Sequence, residues 1–183
     1  LLGRQETSYL LEPATPTFRW HARVAIARRK ADRLAFREAP GTRVVNLSGK
    51  GIHSWRQEGG LVTVLLDRPT LGDAEFAAEG VASAVGQAFE LGTPELQEAG
   101  RDTRYLALCE APGERLAVER LTGLRELAPL DVAVPSPAGG RVARLLLAES
   151  PGARVTARAA AAPVVFDVQA ALALAIDEKR ALL

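Results

Sequence analysis

The tightest constraint on this chain is the alternation between residues 18 and 26. Phe18, Trp20, Ala22, Val24 and Ile26 are apolar, and Arg19, His21, Arg23 and Ala25 separate them. A helix would scatter these five side chains around its circumference. A strand puts them all on one face, so the segment reads as a strand with one buried side. The run Arg28-Arg29-Lys30-Ala31-Asp32-Arg33 that follows is polar and predicts a loop or a short helical turn.

Strands are also expected at Thr42 to Leu47, Ile52 to Trp55, Leu61 to Asp67 and Arg104 to Glu110, with Arg115 to Leu121 as a hairpin partner across Pro112-Gly113. Leu130 to Val134 and Val164 to Val168 read as short strands. Arg141 to Ala148 and Val155 to Ala162 fit either helix or strand. Leu1 to Leu11 reads as a helix end running into an extended segment, broken by Pro13 and Pro16. Asp73 is a natural helix N-cap, and Phe76, Ala77, Val81, Ala84, Val85, Ala88 and Phe89 fall on one helical face that Gly92 ends. Ala170 to Leu183 reads as a terminal helix. The sum is an α+β domain, a mostly antiparallel mixed sheet with packed helices, in which residues 1–150 form the main unit and 151–183 add a C-terminal strand and helix to it.

Composition removes several function classes. The longest apolar run, Ala159 to Phe166, is too short to span a bilayer, and Arg4, Gln5 and Glu6 so close to Leu1 argue against a secretory signal, so a cytoplasmic protein is expected. The absence of Met fits a processed or trimmed product. One Cys precludes an internal disulfide, two His make a protein-built zinc site improbable, and no metal site is expected. A net charge of +1 supplies no bulk field for nucleic acid. Only Lys30, Lys50 and Lys179 are lysines, which limits any amine chemistry to three positions.

The segments that bear on chemistry are few. Ser48-Gly49-Lys50-Gly51 joins two strands, and its glycines let backbone N–H groups approach an anion, with Lys50 adding a charge; the same segment also reads as a plain hairpin loop. Ile52 and His53 continue it. Arg28 and Arg29, just past the first strand, have the geometry to hold a phosphate or carboxylate, or to form a solvated loop. His21 reads as structural, and Cys109 as a small buried strand residue.

Taken in order, these pieces resemble the lipoate–protein ligase family and its octanoyl- and biotin-transferring relatives. The resemblance rests on Val24 to Lys30, on Val44-Val45-Asn46-Leu47-Ser48-Gly49-Lys50-Gly51-Ile52, on Gly59-Gly60-Leu61 leading a strand, on the helix expected at Asp73, and on Gly113-Glu114-Arg115-Leu116-Ala117 at the family's lysine motif. It implies the class II synthetase-like fold of biotinyl/lipoyl ligases and transfer of a lipoyl- or octanoyl-type group to a lysine of a lipoyl-domain protein. ATP with lipoyl-AMP, or an acyl thioester, would be the donor. Arg28, Arg29 and Ser48 to His53 would then bind ligand, Arg115 would stabilise charge on the carbonyl oxygen, and Cys109 would be a candidate acyl nucleophile. The chain departs from the family pattern at Ala27, Lys30, Lys50 and Arg115, where the family has glycine, glutamine, glycine and lysine. Those departures motivate an alternative, a non-catalytic relative that binds a partner or assembles a complex. A primase-like domain is a minor alternative, suggested by Ser48-Gly49-Lys50-Gly51-Ile52-His53 but lacking the paired aspartates that two-metal chemistry needs.

Overall fold

The computed structural model describes residues 1–85, 88–128 and 140–161; the strands expected at Leu130 and Val164 and the terminal helix lie outside them. Every regular element among the described residues is a strand. In chain order they are β1 (Leu2–Leu11), β2 (Thr17–Arg37), β3 (Thr42–Gly49), β4 (Ile52–Glu58), β5 (Leu61–Ala82), β6 (Ala84–Val85), β7 (Ala88–Gly92), β8 (Glu95–Leu96), β9 (Arg101–Glu110), β10 (Glu114–Thr122), β11 (Leu124–Leu127), β12 (Arg141–Ala148) and β13 (Arg154–Ala161). The larger sheet has nine strands in the order β11-β12-β9-β1-β2-β5-β3, with β4 also on β5 and β8 also on β2. The smaller runs β10-β13-β7-β6. Among the described residues only the β1–β9 pair is parallel.

The long strands β2 and β5 are folded double. The Trp20 and Phe36 ring centroids lie 4.8 Å apart on the same strand, although an extended chain would separate them by about 50 Å. Phe76 of β5 completes the cluster at 5.3 Å from each, and all three pairs meet edge to face. The pairing explains how. Ile26 pairs with Gly72, Ala31 with Thr70 and Arg33 with Leu65, so extra residues in β2 are matched by extra residues in β5 and the ladder emerges in its original register. A strand bent toward one face keeps that face inside both halves. The buried side chains accordingly stay in phase through the bend: Phe18 to Ile26 and then Leu34 and Phe36 on β2, Val62 to Leu66 and then Ala74 to Ala82 on β5.

One layer therefore comprises β3, the second half of β5, the first half of β2, β1, β9, β12 and β11. The folded-back halves of β2 and β5, with β4 and β8, cover part of it. The smaller sheet adds Phe89, Leu91, Val155 and Ala157 to the same core. Tyr9 of β1 donates its hydroxyl to Gly92 O across the two sheets at 2.8 Å, and burial pushes its pKa up.

Among the described residues the α+β class, with its class II synthetase-like fold, is thus corrected to a sheet-rich sandwich without helices. The helix expected over Asp73 to Leu91 is the second half of β5 followed by β6 and β7. Its alanines favour helix, but β5 is paired on both edges, by β2 and by β3, and its buried residues recur at every second position. Gly80 belongs to that pattern, because the Phe18 ring occupies the space a side chain would need. The helix end expected within Leu1 to Leu11 is instead strand β1, Leu2–Leu11. The expected hairpin across Pro112-Gly113 is instead a corner between sheets, since β9 pairs with β1 and β12 while β10 pairs with β13. No helix among the described residues is long and apolar enough to cross a membrane.

A polar string runs through this core. Trp20 Nε1 donates to Gln5 Oε1 at 3.0 Å, and Gln5 Nε2 donates to Asp102 Oδ2 at 2.6 Å. Leu96 N also donates to that oxygen at 3.0 Å, while buried Asp102 Oδ1 has no partner. Desolvation raises the Asp102 pKa against the opposing hydrogen bonds from Gln5 and Leu96. A folded-state value above the unfolded one means that the folded protein holds the extra proton. This contribution to stability is full below the unfolded pKa and is lost as pH rises through the raised value. Urea unfolding between about pH 3 and pH 7 should show that loss in the natural chain and a flatter profile in Asp102→Asn.

Candidate functional site

The bends create a site at one edge of the sandwich. Four segments cross between layers there, side by side: the β3–β4 corner, the β5 bend, the β2 bend and the β8–β9 turn. Gly51 O accepts from Asp67 N at 2.9 Å, tying the first to the second. Ala31 pairs with Thr70, tying the second to the third. Gly100 N donates to Leu1 O at 2.9 Å, which seats the fourth beside the start of β1. Each crossing has a local cause. Gly51 and Gly72 take left-handed backbones, with φ of 77° and 104°. Pro69 interrupts the β5 ladder. Gly49 passes so close to β5 that a Cβ would sit 2.6 Å from Glu75 O.

A sharp bend turns successive side chains outward, so polar residues accumulate on it. Arg28, Arg29, Lys30 and Arg33 stand on the β2 bend, Arg68 on the β5 bend, Lys50 on the β3–β4 corner and Arg101 at the start of β9, all exposed. Asp32, Asp67, Asp73 and Glu98 are the carboxylates among them. Arg29 faces Glu98 at 3.6 Å and His53 Nδ1 faces Asp67 at 3.9 Å, both in solvent. Arg28, Lys30, Arg33, Lys50 and Arg68 make no ion pair among the described residues. On the flat strands Arg4, Arg19, Arg23, Arg125, Arg144, Arg154 and Arg158 are each paired with a glutamate, while the exposed Arg37, Arg43, Arg56, Arg115 and Arg120 make no ion pair among the described residues; what sets the bends apart is that several such cations stand close together. Arg23 and then His21 hold the Glu75 carboxyl below its ordinary value, so His21 belongs to such a surface network. Residues 27–33, Leu1 and Glu98 line a groove of about 510 Å³ between the β2 bend and the β8–β9 turn.

The ligand-binding residues expected from sequence converge on this edge from two sides. Arg28 and Arg29 come from β2, and Ser48, Gly49, Lys50, Gly51, Ile52 and His53 come from the β3–β4 corner. Ile52 is half-buried against the core and the rest are exposed. Arg115 lies elsewhere, in a groove of about 520 Å³ at the corner between β9 and β10 with Glu110, Glu114 and Arg141. There Glu110 accepts from Leu116 N at 3.1 Å and from Arg141 Nη2 at 2.5 Å. The Leu116 N–H, more than the Arg141 guanidinium, holds the Glu110 carboxyl below its ordinary value. Cys109 is in neither groove. It is buried with Leu10, Ala107 and Leu145 in a second small cluster, where a thiolate would be desolvated.

Sequence reasoning did not single out Arg33, Arg68 or Glu98. The polar run at 28–33 and Pro69 were visible, but their juxtaposition depends on two strands bending at matched places. No group of three or more metal-ligating side chains is found among the described residues.

Comparison with known proteins adds the fold alone. No family model matches, and no curated protein matches. The structure is similar to an M1 zinc metallopeptidase from Deinococcus radiodurans, with a TM-score of 0.50 and 11% identity over 85% of this chain. This chain spans 41% of the metallopeptidase's length. An Actinomyces fimbrial adhesin, FimA, aligns over 87% of this chain and 79% of its own at 9% identity and a TM-score of 0.35.

Burial of Cys109 has a direct consequence. A thiol-specific reagent should modify it in the folded chain at least about 100-fold more slowly than in urea. Comparable rates in the two conditions would place the thiol at the surface.

Proposed function

We propose that this chain is a non-catalytic binding domain that docks an acidic segment of a protein partner on its folded edge, as one part of a larger protein or assembly. The observation that carries this reading is the set of cations on three adjacent bends, Arg28, Lys30, Arg33, Lys50 and Arg68, that make no ion pair among the described residues. Cations outnumber the carboxylates on this edge, so like charges repel one another there and an incoming anion relieves that repulsion.

The partner's character follows from what surrounds the charges. Leu71, at the crest of the β5 bend, is 57% exposed. An apolar side chain among cations fits a segment that mixes acidic and apolar residues. Carboxylates interspersed at Asp32, Asp67, Asp73 and Glu98 oppose the unbroken phosphate track of a nucleic acid. The metallopeptidase, in which a fold of this kind accounts for 41% of the chain, is consistent with such a domain working within a longer polypeptide. The acyl-transfer reading needs the Ser48–Gly51 corner and Arg115 at one pocket, whereas Arg115 lines a groove that contains no residue of that corner.

A fluorescent peptide of alternating glutamate and leucine should bind the chain with an affinity that falls as salt rises. Lys50→Glu combined with Arg68→Glu should weaken binding by about tenfold or more with an unchanged Tm. Arg120→Glu, on exposed β10 of the other sheet, should leave it intact. Equal loss from both variants would make the attraction nonspecific and overturn the reading.

A further inference from the structure

We propose that the groove between the β2 bend and the β8–β9 turn is a phosphoryl-binding site in which Arg28 grips the dianion and Glu98 acts as a displaceable counter-ion. This inference rests on the docking reading and gives that surface a specific chemical target. Among the described residues only two that are not glycine have left-handed backbones, Arg28 at φ 76° and Glu98 at φ 55°. Both line this one groove of about 510 Å³.

Their coincidence is informative because the conformation is unfavourable for any residue with a Cβ. Glycine adopts it freely, and the chain places glycine at its other left-handed positions, among them Gly51 on the same edge. Keeping arginine and glutamate at these two points sacrifices backbone stability for a side chain, a pattern associated with ligand sites.

Charge sets the ligand class. Four cations, Arg28, Arg29, Lys30 and Arg33, and two carboxylates, Asp32 and Glu98, line the groove, which leaves an excess of two positive charges. A phosphate monoester carries close to two negative charges at neutral pH and presents three acceptor oxygens to guanidinium donors. A single carboxylate would neutralise only half of the excess. The Glu98 carboxylate stands 3.6 Å from Arg29 Nη2 and occupies the position of an anion until one arrives. Both side chains are more than four-fifths exposed, so exchange requires no opening of the fold.

Calorimetric titration of the full 183-residue chain with inorganic phosphate, a phosphoserine peptide and its unphosphorylated counterpart tests this. Both phosphate probes should bind more tightly than the unphosphorylated peptide. A phosphopeptide preferred over free phosphate by about tenfold assigns the group to a protein partner; equal affinities assign it to a small molecule. Arg28→Gly and Arg28→Asn both tolerate the left-handed backbone. Each should keep or raise Tm while weakening phosphate binding by about tenfold or more. Glu98→Gln should tighten it by about threefold. Parent-like binding by Arg28→Gly, or no binding of either phosphate probe at about 10 mM, would overturn the site. If the acidic peptide still bound in that event, the docking reading would stand without this groove; if it too failed, both would fall.

Discussion

The contact among Trp20, Phe36 and Phe76 is the constraint on which the rest depends. Trp20 and Phe36 belong to one strand, and they meet only if that strand doubles back. Because β2 and β5 are hydrogen-bonded along most of their lengths, neither can bend alone without breaking the ladder. They bend together, with unpaired residues inserted in each so that the register is recovered beyond the fold. Once the bend is made, the same alternation that built one face supplies two facing layers, and the aromatic rings close the space between them.

The bend also determines where polar chemistry can sit. Residues on the flat strands point either into the core or onto a face, where cross-strand neighbours offer counter-ions. Arg23 with Glu75 and Arg19 with Glu79 are examples. Residues on the crossings have no such regular neighbours. Arg28, Lys30, Arg33, Lys50 and Arg68 gather there with no ion pair among the described residues, and the two non-glycine left-handed residues among those described fall in the groove beside them. The same crease that makes the sandwich therefore also brings these cations together.

Much of the strand pattern was legible in the sequence, and the reason is period two. Phe18 to Ile26 sits in a strand as its alternation suggests, and Thr42 to Leu47 and Leu61 to Asp67 sit in strands as their β-branched residues suggest. What could not be read was partnership. Ala74 to Ala88 is rich in alanine, which favours helix, and its small size was legible only as propensity. In the fold Ala74, Ala78 and Ala82 are the buried residues of a paired β5, and the Phe18 ring covers Gly80. Pro112-Gly113 was legible as a turn but not as a turn between sheets. Arg28, Arg29 and the Ser48–His53 segment were visible as separate charged or glycine-rich loops. That they share an edge follows from two bends more than 35 residues apart in sequence, and no local pattern encodes such a match. Arg115 and Cys109 were drawn into a site by the resemblance to acyl ligases, whose fold this chain does not have.

The doubled strand is open to one direct measurement. Trp20 and Phe36 are 16 positions apart on a single strand of the sequence, and their ring centroids are 4.8 Å apart. Nuclear Overhauser contacts between the two rings, recorded on selectively labelled protein, should be strong, with matching contacts from each to Phe76. A straight β2 would hold the rings about 50 Å apart, and the absence of any contact between them in the folded protein would contradict the account.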